Sequence, residues 1–206
     1  MKKIAVLLSG RGSNFRAIYS AIKDGVIQNA EIAVVVSDKK DAKGLLFAKE
    51  SGLNAIFVDP KDFKDRVSYD LHIVEILKKN GVDLVCLAGF MRIITPEFVT
   101  AFENKIINIH PSLLPSFPGL HAQRQALEYG VKVTGCTVHF VDSKVDHGPI
   151  IFQEAVPVMD EDTEESLSER ILKYEHKIYP EVVKLLVEGR VIIEGRKVRI
   201  LSDCLS

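Results

Sequence analysis

The chain has 206 residues, of which 47% are apolar, and its 27 basic and 28 acidic side chains leave a net charge of −1. This length suits one domain with a substantial core. The balanced charge gives no footprint for nucleic acid or for an anionic membrane surface, whereas small anionic substrates remain possible. No apolar run approaches the roughly 18 residues of a membrane span, so we expect neither a membrane nor a nucleic acid as a partner.

The cysteines and the first residues indicate the compartment. Cys86, Cys136 and Cys204 are widely spaced and form no Cys-x-x-Cys pair. Cys86 and Cys136 lie in apolar runs, which is typical of core residues rather than of disulfide or zinc partners. The apolar run at 4–8 is too short for a secretory signal. We therefore expect a cytoplasmic protein.

The first half of the chain alternates apolar runs with helical periodicity. Near-continuous apolar runs are typical of parallel strands covered on both faces. Strands are predicted at 4–8, 31–37, 54–58 and 82–88, and helices at 14–24, 42–51 and 62–79. The third helix is expected to bury an apolar face made of Phe63, Val67, Leu71, Val74 and Leu77.

The second half begins with a helix started by Pro96 and adds elements that are not all parallel. A strand is predicted at 105–110, a short helix at 121–129, two strands at 132–141 and 149–158, and a hairpin at 191–201. A long helix is expected from Asp162 or Thr163 to Gly189, with Asp162 and Glu165 as a capping box. Together these elements predict an α/β fold, an open, mostly parallel twisted sheet with helices on both faces and antiparallel C-terminal strands.

The strand predicted at 105–110 ends in Asn108-Ile109-His110-Pro111. Asn108 and His110 are two residues apart, so their side chains project from the same face of the strand. An amide that donates to an oxygen and an imidazole that titrates near neutrality are the pair that acyl transfer needs. The alternative is a polar strand end before a rigid loop, and this segment alone does not decide between them.

A glycine-rich turn, Ser9-Gly10-Arg11-Gly12-Ser13-Asn14, joins the first strand to the first helix. A helix N-terminus presents backbone N–H groups and a positive dipole end to an anion. Phe15 stands where a dinucleotide fingerprint has glycine, and a Walker lysine is absent. The turn therefore suits a terminal phosphate, and the alternative is a helix capped by Ser13 or Asn14.

The loop 142–148 supplies carboxylates between two apolar strands. Asp146 is the better candidate to approach His110 and favour its charged form, because Gly148 and Pro149 fix the backbone beyond it. Asp142 belongs to the same loop. A solvated surface turn is the alternative. Metal binding by Asp146 with His147, or by His110 with His121, is disfavoured because no histidine pair has ligand spacing on one helix. His72, His139 and His176 are expected to be core-edge or surface histidines.

Several motifs together resemble phosphoribosylglycinamide formyltransferases. They are the turn at 9–14, Leu87-Ala88-Gly89-Phe90-Met91-Arg92-Ile93, the segment 108–115, Pro118-Gly119-Leu120-His121, and Glu175-His176 with Tyr179-Pro180. The Gly12-Ser13-Asn14 turn separates this family from methionyl-tRNA formyltransferase. The resemblance implies a Rossmann-like formyltransferase fold and a cis peptide bond before Pro115.

The resemblance also implies a reaction and its residues. The formyl group of 10-formyltetrahydrofolate, a co-substrate, passes to the amine of glycinamide ribonucleotide in purine biosynthesis, with no metal. Asn108, His110 and Asp146 are then catalytic. The implied ribonucleotide-binding residues are Gly12, Ser13, Asn14 and Glu175. The implied folate-side residues are Arg66, Met91, Arg92, Ile93, Ile94, Asn108, Asp142 and Asp146.

The expected organisation is one formyltransferase domain over 1–206. It has a phosphate-binding half to about 100, a catalytic and folate-binding half at about 101–190, and a C-terminal hairpin and tail at 191–206. Its partners are small molecules, and both a monomer and a homodimer are compatible with the sequence. Alternatives are another formyltetrahydrofolate enzyme, acting on a different amine or hydrolysing the formyl group, and a phosphate-binding domain without catalysis. His147 beside Asp146 departs from the small residue that is frequent in the family.

Overall fold

The computed structural model describes residues 1–202, and Cys204 with the end of the predicted tail lies outside the described residues. Nine strands, six α-helices and one short 3-10 helix, Pro60–Asp62, follow one another within that range. In chain order the strands and α-helices are β1 Lys2–Leu8, α1 Ser13–Lys23, β2 Ala30–Ser37, α2 Lys43–Glu50, β3 Ala55–Phe57, α3 Arg66–Lys79, β4 Leu84–Leu87, α4 Pro96–Ala101, β5 Ile106–His110, α5 Ala122–Tyr129, β6 Val133–Phe140, β7 Ile150–Pro157, α6 Glu164–Val187, β8 Val191–Glu194 and β9 Lys197–Ile200.

The predicted fold class is confirmed. Seven strands form a sheet in the order β3-β2-β1-β4-β5-β6-β7, and β8 and β9 form a separate two-stranded sheet. The strands from β3 to β5 are parallel, whereas β7 runs antiparallel to β6 and β9 antiparallel to β8. The chain divides into two compact units, one up to Asn108 and one from Ile109 onward.

In the first unit, the register of three strands brings their carboxyl ends to one edge. Leu7 of β1 pairs with Leu87 of β4, which pairs with Asn108 of β5. The glycine-rich turn after β1, the segment after β4 and the Asn108 side chain therefore share the edge where ligands bind in open α/β sheets.

In the second unit, α6 packs against β6 and β7. Gly135 of β6 allows a close approach of the two strands, because a Cβ there would lie 2.0 Å from the Glu154 carbonyl oxygen. Cys136 follows it and is fully buried, like Cys86 of β4 in the first unit. Both are free thiols, as expected for core residues.

Two local predictions were wrong. The helix α3 buries Tyr69, Asp70, Ile73, Val74 and Leu77, whereas Val67 and Leu71 are exposed and Phe63 precedes the helix. The prediction counted only apolar residues, whereas the polar Asp70 is also buried on this helix. Its carboxylate accepts the Thr95 N–H at 2.6 Å.

The capping box of α6 is also made by other residues than predicted. Thr163 is the N-cap and Ser166 its partner. The Asp162 carboxylate instead accepts hydrogen bonds from both terminal nitrogens of Arg170, at 2.6 and 2.7 Å. No helix within residues 1–202 has the length and apolarity to cross a membrane.

Candidate active site

The His110 side chain lies between two acceptors. Its Nε2 is 2.8 Å from the Phe117 carbonyl oxygen, and its Nδ1 is 3.4 Å from Oδ2 of Asp146. A carbonyl and a carboxylate only accept, so only the doubly protonated ring donates on both sides. His110 is 5% exposed, and the Asp146 side chain is 11% exposed. The pairing of a buried imidazole with Asp146 rather than Asp142 agrees with the sequence prediction.

The Asp146 carboxylate has two further neighbours, of which the Gly119 N–H holds it by a hydrogen bond. Its Oδ2 accepts the Gly119 N–H at 2.8 Å, and its Oδ1 lies 3.7 Å from Nε2 of His139. His139 is buried at the end of β6, and its Nδ1 is 2.7 Å from the Phe140 carbonyl oxygen. Burial lowers the pKa of His139, against the opposing effects of that carbonyl and of Asp146. A neutral His139 therefore donates from Nδ1 to Phe140.

Sequence reasoning missed His139, which it treated as a core-edge or surface residue. The residue sits in β6, and its proximity to Asp146 arises only from the path of the loop that follows that strand. The available signal was its spacing from Thr137, since two polar residues two positions apart lie on the same face of β6.

The segment after His110 is held by β6 and β7. The Thr137 hydroxyl donates to the Ser112 carbonyl at 2.7 Å and accepts the Leu114 N–H at 3.1 Å. The Gln153 amide donates to the Leu114 carbonyl at 2.8 Å. The Leu114–Pro115 bond is cis, as the resemblance implied. These contacts fix the chain that leads from His110 to its partner carbonyl at Phe117.

The backbone at Asp146 is in a conformation that non-glycine residues adopt uncommonly. Its φ is 48°, in the left-handed region. A non-glycine residue there costs about 1–3 kcal/mol and persists only when its surroundings determine it. On one side, Gly148 packs so closely that a Cβ would lie 1.8 Å from the Phe140 carbonyl oxygen. The loop is therefore built to aim Asp146, which is not typical of a solvated turn.

In the first unit, the glycine-rich turn leads directly into the N-terminus of α1. Gly12 is the N-cap of α1, with φ 70°, and no side chain of the described residues caps it. The alternative in which Ser13 or Asn14 caps the helix is thus wrong. A Cβ on Gly12 would lie 2.7 Å from the Gly44 Cα, so α2 supports the turn closely. Asn14 is 8% exposed on the first turn of α1.

The predicted folate-side residues of the first unit lie at the same edge. Met91 and Ile93 expose 69% and 56% of their surface, whereas Ile94 is buried. The Met91 N–H donates to the Ser9 hydroxyl at 2.9 Å, which ties this segment to the glycine-rich turn. The Arg92 guanidinium carbon is 4.7 Å from the centre of the Tyr69 ring. Arg66 is the exposed first residue of α3.

The remaining predicted residues belong to the second unit. Glu175 is 7% exposed on the buried face of α6. Burial, followed by the charges of Glu175 and Glu154, raises the pKa of the Cys136 thiol to about 12. That thiol is therefore protonated at neutral pH and is not a nucleophile. Within residues 1–202, no three His, Cys, Asp or Glu side chains are grouped to hold a metal ion.

Comparison with known proteins identifies the family. The model of the formyl transferase family matches residues 2–183. Phosphoribosylglycinamide formyltransferase of Bacillus subtilis is 45% identical over 91% of this chain and 95% of its own length. This chain is a member of the formyl transferase family, in its phosphoribosylglycinamide formyltransferase branch. The resemblance drawn from the motifs is confirmed.

Relatives in the formyl transferase family differ in length. The trifunctional purine biosynthetic protein adenosine-3 of Drosophila melanogaster is 47% identical over 93% of this chain, which spans only 14% of that protein. The crystal structure of glycinamide ribonucleotide transformylase 1 from Symbiobacterium toebii is 55% identical. It covers 98% of this chain, which covers 95% of it, with a TM-score of 0.96. The formyltransferase fold is therefore shared over almost the whole chain.

Proposed function

We propose that this chain transfers the formyl group of 10-formyltetrahydrofolate to the amine of glycinamide ribonucleotide in purine biosynthesis. The observation that carries the proposal is the buried His110, whose two ring nitrogens face the Phe117 carbonyl and the Asp146 carboxylate. This arrangement orients an imidazole that can donate to a developing oxyanion and transfer a proton. The family of the chain supports the reaction class.

The proposed chemistry is direct attack, with no covalent enzyme intermediate. The amine nitrogen forms a bond to the formyl carbon, and the carbonyl π electrons move to its oxygen. Asn108 would donate to that oxygen, and so would the Nε2–H of His110 once it turns from the Phe117 carbonyl. The loss of one such donor typically costs about 3–4 kcal/mol of barrier. The adduct then collapses: the bond to the folate nitrogen breaks, and that nitrogen takes up the proton that the attacking amine releases.

Asp146 has two tasks in this mechanism. Its carboxylate orients the His110 ring through Nδ1, and its oxygens can take up a proton from the amine, directly or through a water. The neighbouring His139 is assigned no proton transfer, because burial lowers its pKa. Much of the remaining acceleration is expected from the alignment of two bound substrates.

Separate sets of residues are proposed to bind the ribonucleotide and the folate. Gly12, Ser13 and Asn14 would hold the ribonucleotide phosphate, because backbone N–H groups at a helix start bind anions. Glu175 would contact other polar groups of the ribonucleotide. The exposed apolar side chains of Met91 and Ile93 suit an aromatic pterin, with Arg66, Arg92, Ile94, Asn108, Asp142 and Asp146 completing the folate side.

The proposed partners are small molecules, and the proposed compartment is the reducing cytoplasm, because Cys86 and Cys136 are free thiols in the core. We also propose that the glycine-rich turn and the segment around His110 divide the work as a phosphate-binding half and a catalytic half.

The test is an assay of tetrahydrofolate release from a 10-formyl folate with three acceptors: glycinamide ribonucleotide, the same riboside without phosphate, and none. We expect release to depend on the ribonucleotide, with a much higher KM for the riboside. Equal release without any acceptor would identify a hydrolase instead. Equal use of the riboside would remove the phosphate role of the glycine-rich turn.

A further inference from the structure

We propose that Arg196, in the turn between β8 and β9, is a positioning residue that holds the Asp146 loop in place for catalysis. The inference rests on the proposed function and assigns a role to the C-terminal hairpin, in which the sequence shows no active-site motif. Arg196 touches no reacting atom in this account and acts through the loop 142–147.

The contact is a hydrogen bond to the backbone. The Arg196 Nη2 donates to the His147 carbonyl oxygen at 2.7 Å. Its Nη1 lies 3.4 Å from Nδ1 of His147, but that Nδ1 is 2.7 Å from Oδ2 of Asp142. A carboxylate only accepts, so Nδ1 donates to Asp142 and cannot also accept from the guanidinium. The hydrogen bond that joins the hairpin to the loop is therefore the one to the carbonyl.

The bonded carbonyl stands next to the costly backbone conformation. It belongs to the residue directly after Asp146, whose φ is 48°. The close contact of Gly148 with the Phe140 carbonyl fixes the loop beyond that point. A left-handed non-glycine residue persists only when its surroundings determine its conformation. The Arg196 hydrogen bond adds to the loop a constraint that comes from the hairpin.

Charge supports the same arrangement at the start of the loop. Burial would raise the pKa of Asp142, but hydrogen bonds from His147 and the Lys144 N–H, with the charges of His147 and Arg196, hold it below its usual value. Asp142 thus stays ionised at neutral pH and keeps its bond to His147. Arg196 contributes at both ends of the loop, through a hydrogen bond at one end and through charge at the other.

The kinetic consequence is specific. Without Arg196 the Asp146 carboxylate is still present, but it lies less often at the position from which it contacts His110. A hydrogen bond of this kind is worth about 0.5–1.5 kcal/mol, so we expect kcat to fall roughly three- to tenfold in Arg196→Ala. The KM for the formyl folate should rise, because Asp142 belongs to the folate side, whereas the ribonucleotide KM should stay unchanged.

Two variants control for general damage to the hairpin. Arg199→Ala removes an arginine of the same hairpin that pairs with Glu194 within it, at 2.5 Å, so kcat and both KM values should stay at wild-type levels. Arg196→Lys keeps the positive charge and one donor and should recover most of the lost kcat. If Arg196→Ala and Arg199→Ala have the same kinetics, the inference is overturned.

Amide hydrogen exchange separates this inference from the proposed function, because it needs no activity. In Arg196→Ala, amides of 142–147 should exchange faster, while those of β8 and β9 exchange as in the wild type. If wild-type protein transfers no formyl group, the proposed function fails and exchange still decides whether Arg196 orders the loop. Unchanged exchange in 142–147 contradicts the inference, even if the wild type is active.

Discussion

The proposed function depends mainly on a few side chains around His110. His110 and Asp146 were predicted from spacing and turn chemistry, because a strand end and a glycine-proline loop limit where the two side chains can go. His139 was missed, because a lone histidine in an apolar strand is usually a core residue. The partners of Asp146 also include a backbone N–H, that of Gly119, which carries no signal in the sequence.

Asn14 is where phosphate binding is most directly tested. The first turn of α1 has a glycine N-cap without a side-chain cap, so its N–H groups suit an anion. In Asn14→Ala, we expect the ribonucleotide KM to rise about tenfold or more, because a hydrogen bond to a charged group is lost. We expect kcat to change little. Steady-state kinetics with varied ribonucleotide measure this.

Ser20→Ala is the matched control, because Ser20 is an exposed residue of the same helix. It should leave the ribonucleotide KM unchanged. The KM for an acceptor without phosphate should be the same in Asn14→Ala and the wild type. An equal rise for both acceptors would mean that Asn14 shapes the turn rather than binds the phosphate.

Whole elements were predictable where one rule dominates. The parallel strands β1, β2 and β4 were predicted because both faces of such strands are apolar. The end of α6 was predicted from Gly189, whose φ of 70° suits glycine. The buried face of α3 was not, because Asp70 is buried with a backbone partner from a distant segment, and periodicity counts only apolar residues.

The start of α6 shows why capping is harder to assign than the helix itself. Both Asp162 and Thr163 are good N-cap residues, so local preference does not choose between them. The choice follows from Arg170, about two turns further along the helix, which donates to both oxygens of Asp162. Thr163 is then left to cap with Ser166.

This ion pair predicts a pH-dependent stability. Hydrogen bonds from Arg170, the Met159 N–H and the Ser166 hydroxyl, opposed by burial, hold the pKa of Asp162 well below its usual range. A depressed carboxyl pKa stabilises the fold above the unfolded value, about 4, and the contribution is lost as the pH falls further. Asp162→Asn should therefore be less stable than the wild type at pH 7, with a smaller difference at pH 3.

Urea unfolding at both pH values measures the difference. Glu161→Gln is the matched control, because it removes an exposed neighbouring carboxylate. It should unfold like the wild type at both values. A deficit of Asp162→Asn that is equally large at pH 3 and pH 7 would contradict the linkage.

For the molecule as a whole, the sequence predicted the sheet and the family. The boundary between the two compact units falls within β5, directly after Asn108. Asn108 and His110, the two proposed donors to the oxyanion, both belong to β5. Because side chains alternate along a strand, these two project from the same face. Contacts of the hairpin with the loop 142–147 were not predictable, because a turn arginine is ordinarily a solvated charge.

We propose that Asp146, through His110, drives direct formyl transfer between the two bound substrates. The decisive experiment is single-turnover transfer of a radiolabelled formyl group to glycinamide ribonucleotide by the wild type and by Asp146→Asn. The asparagine can still accept the Gly119 N–H, so the fold should persist, and circular dichroism checks this. With both substrates saturating, we expect the variant to be about 10²–10⁴-fold slower. Equal single-turnover rates would contradict the account.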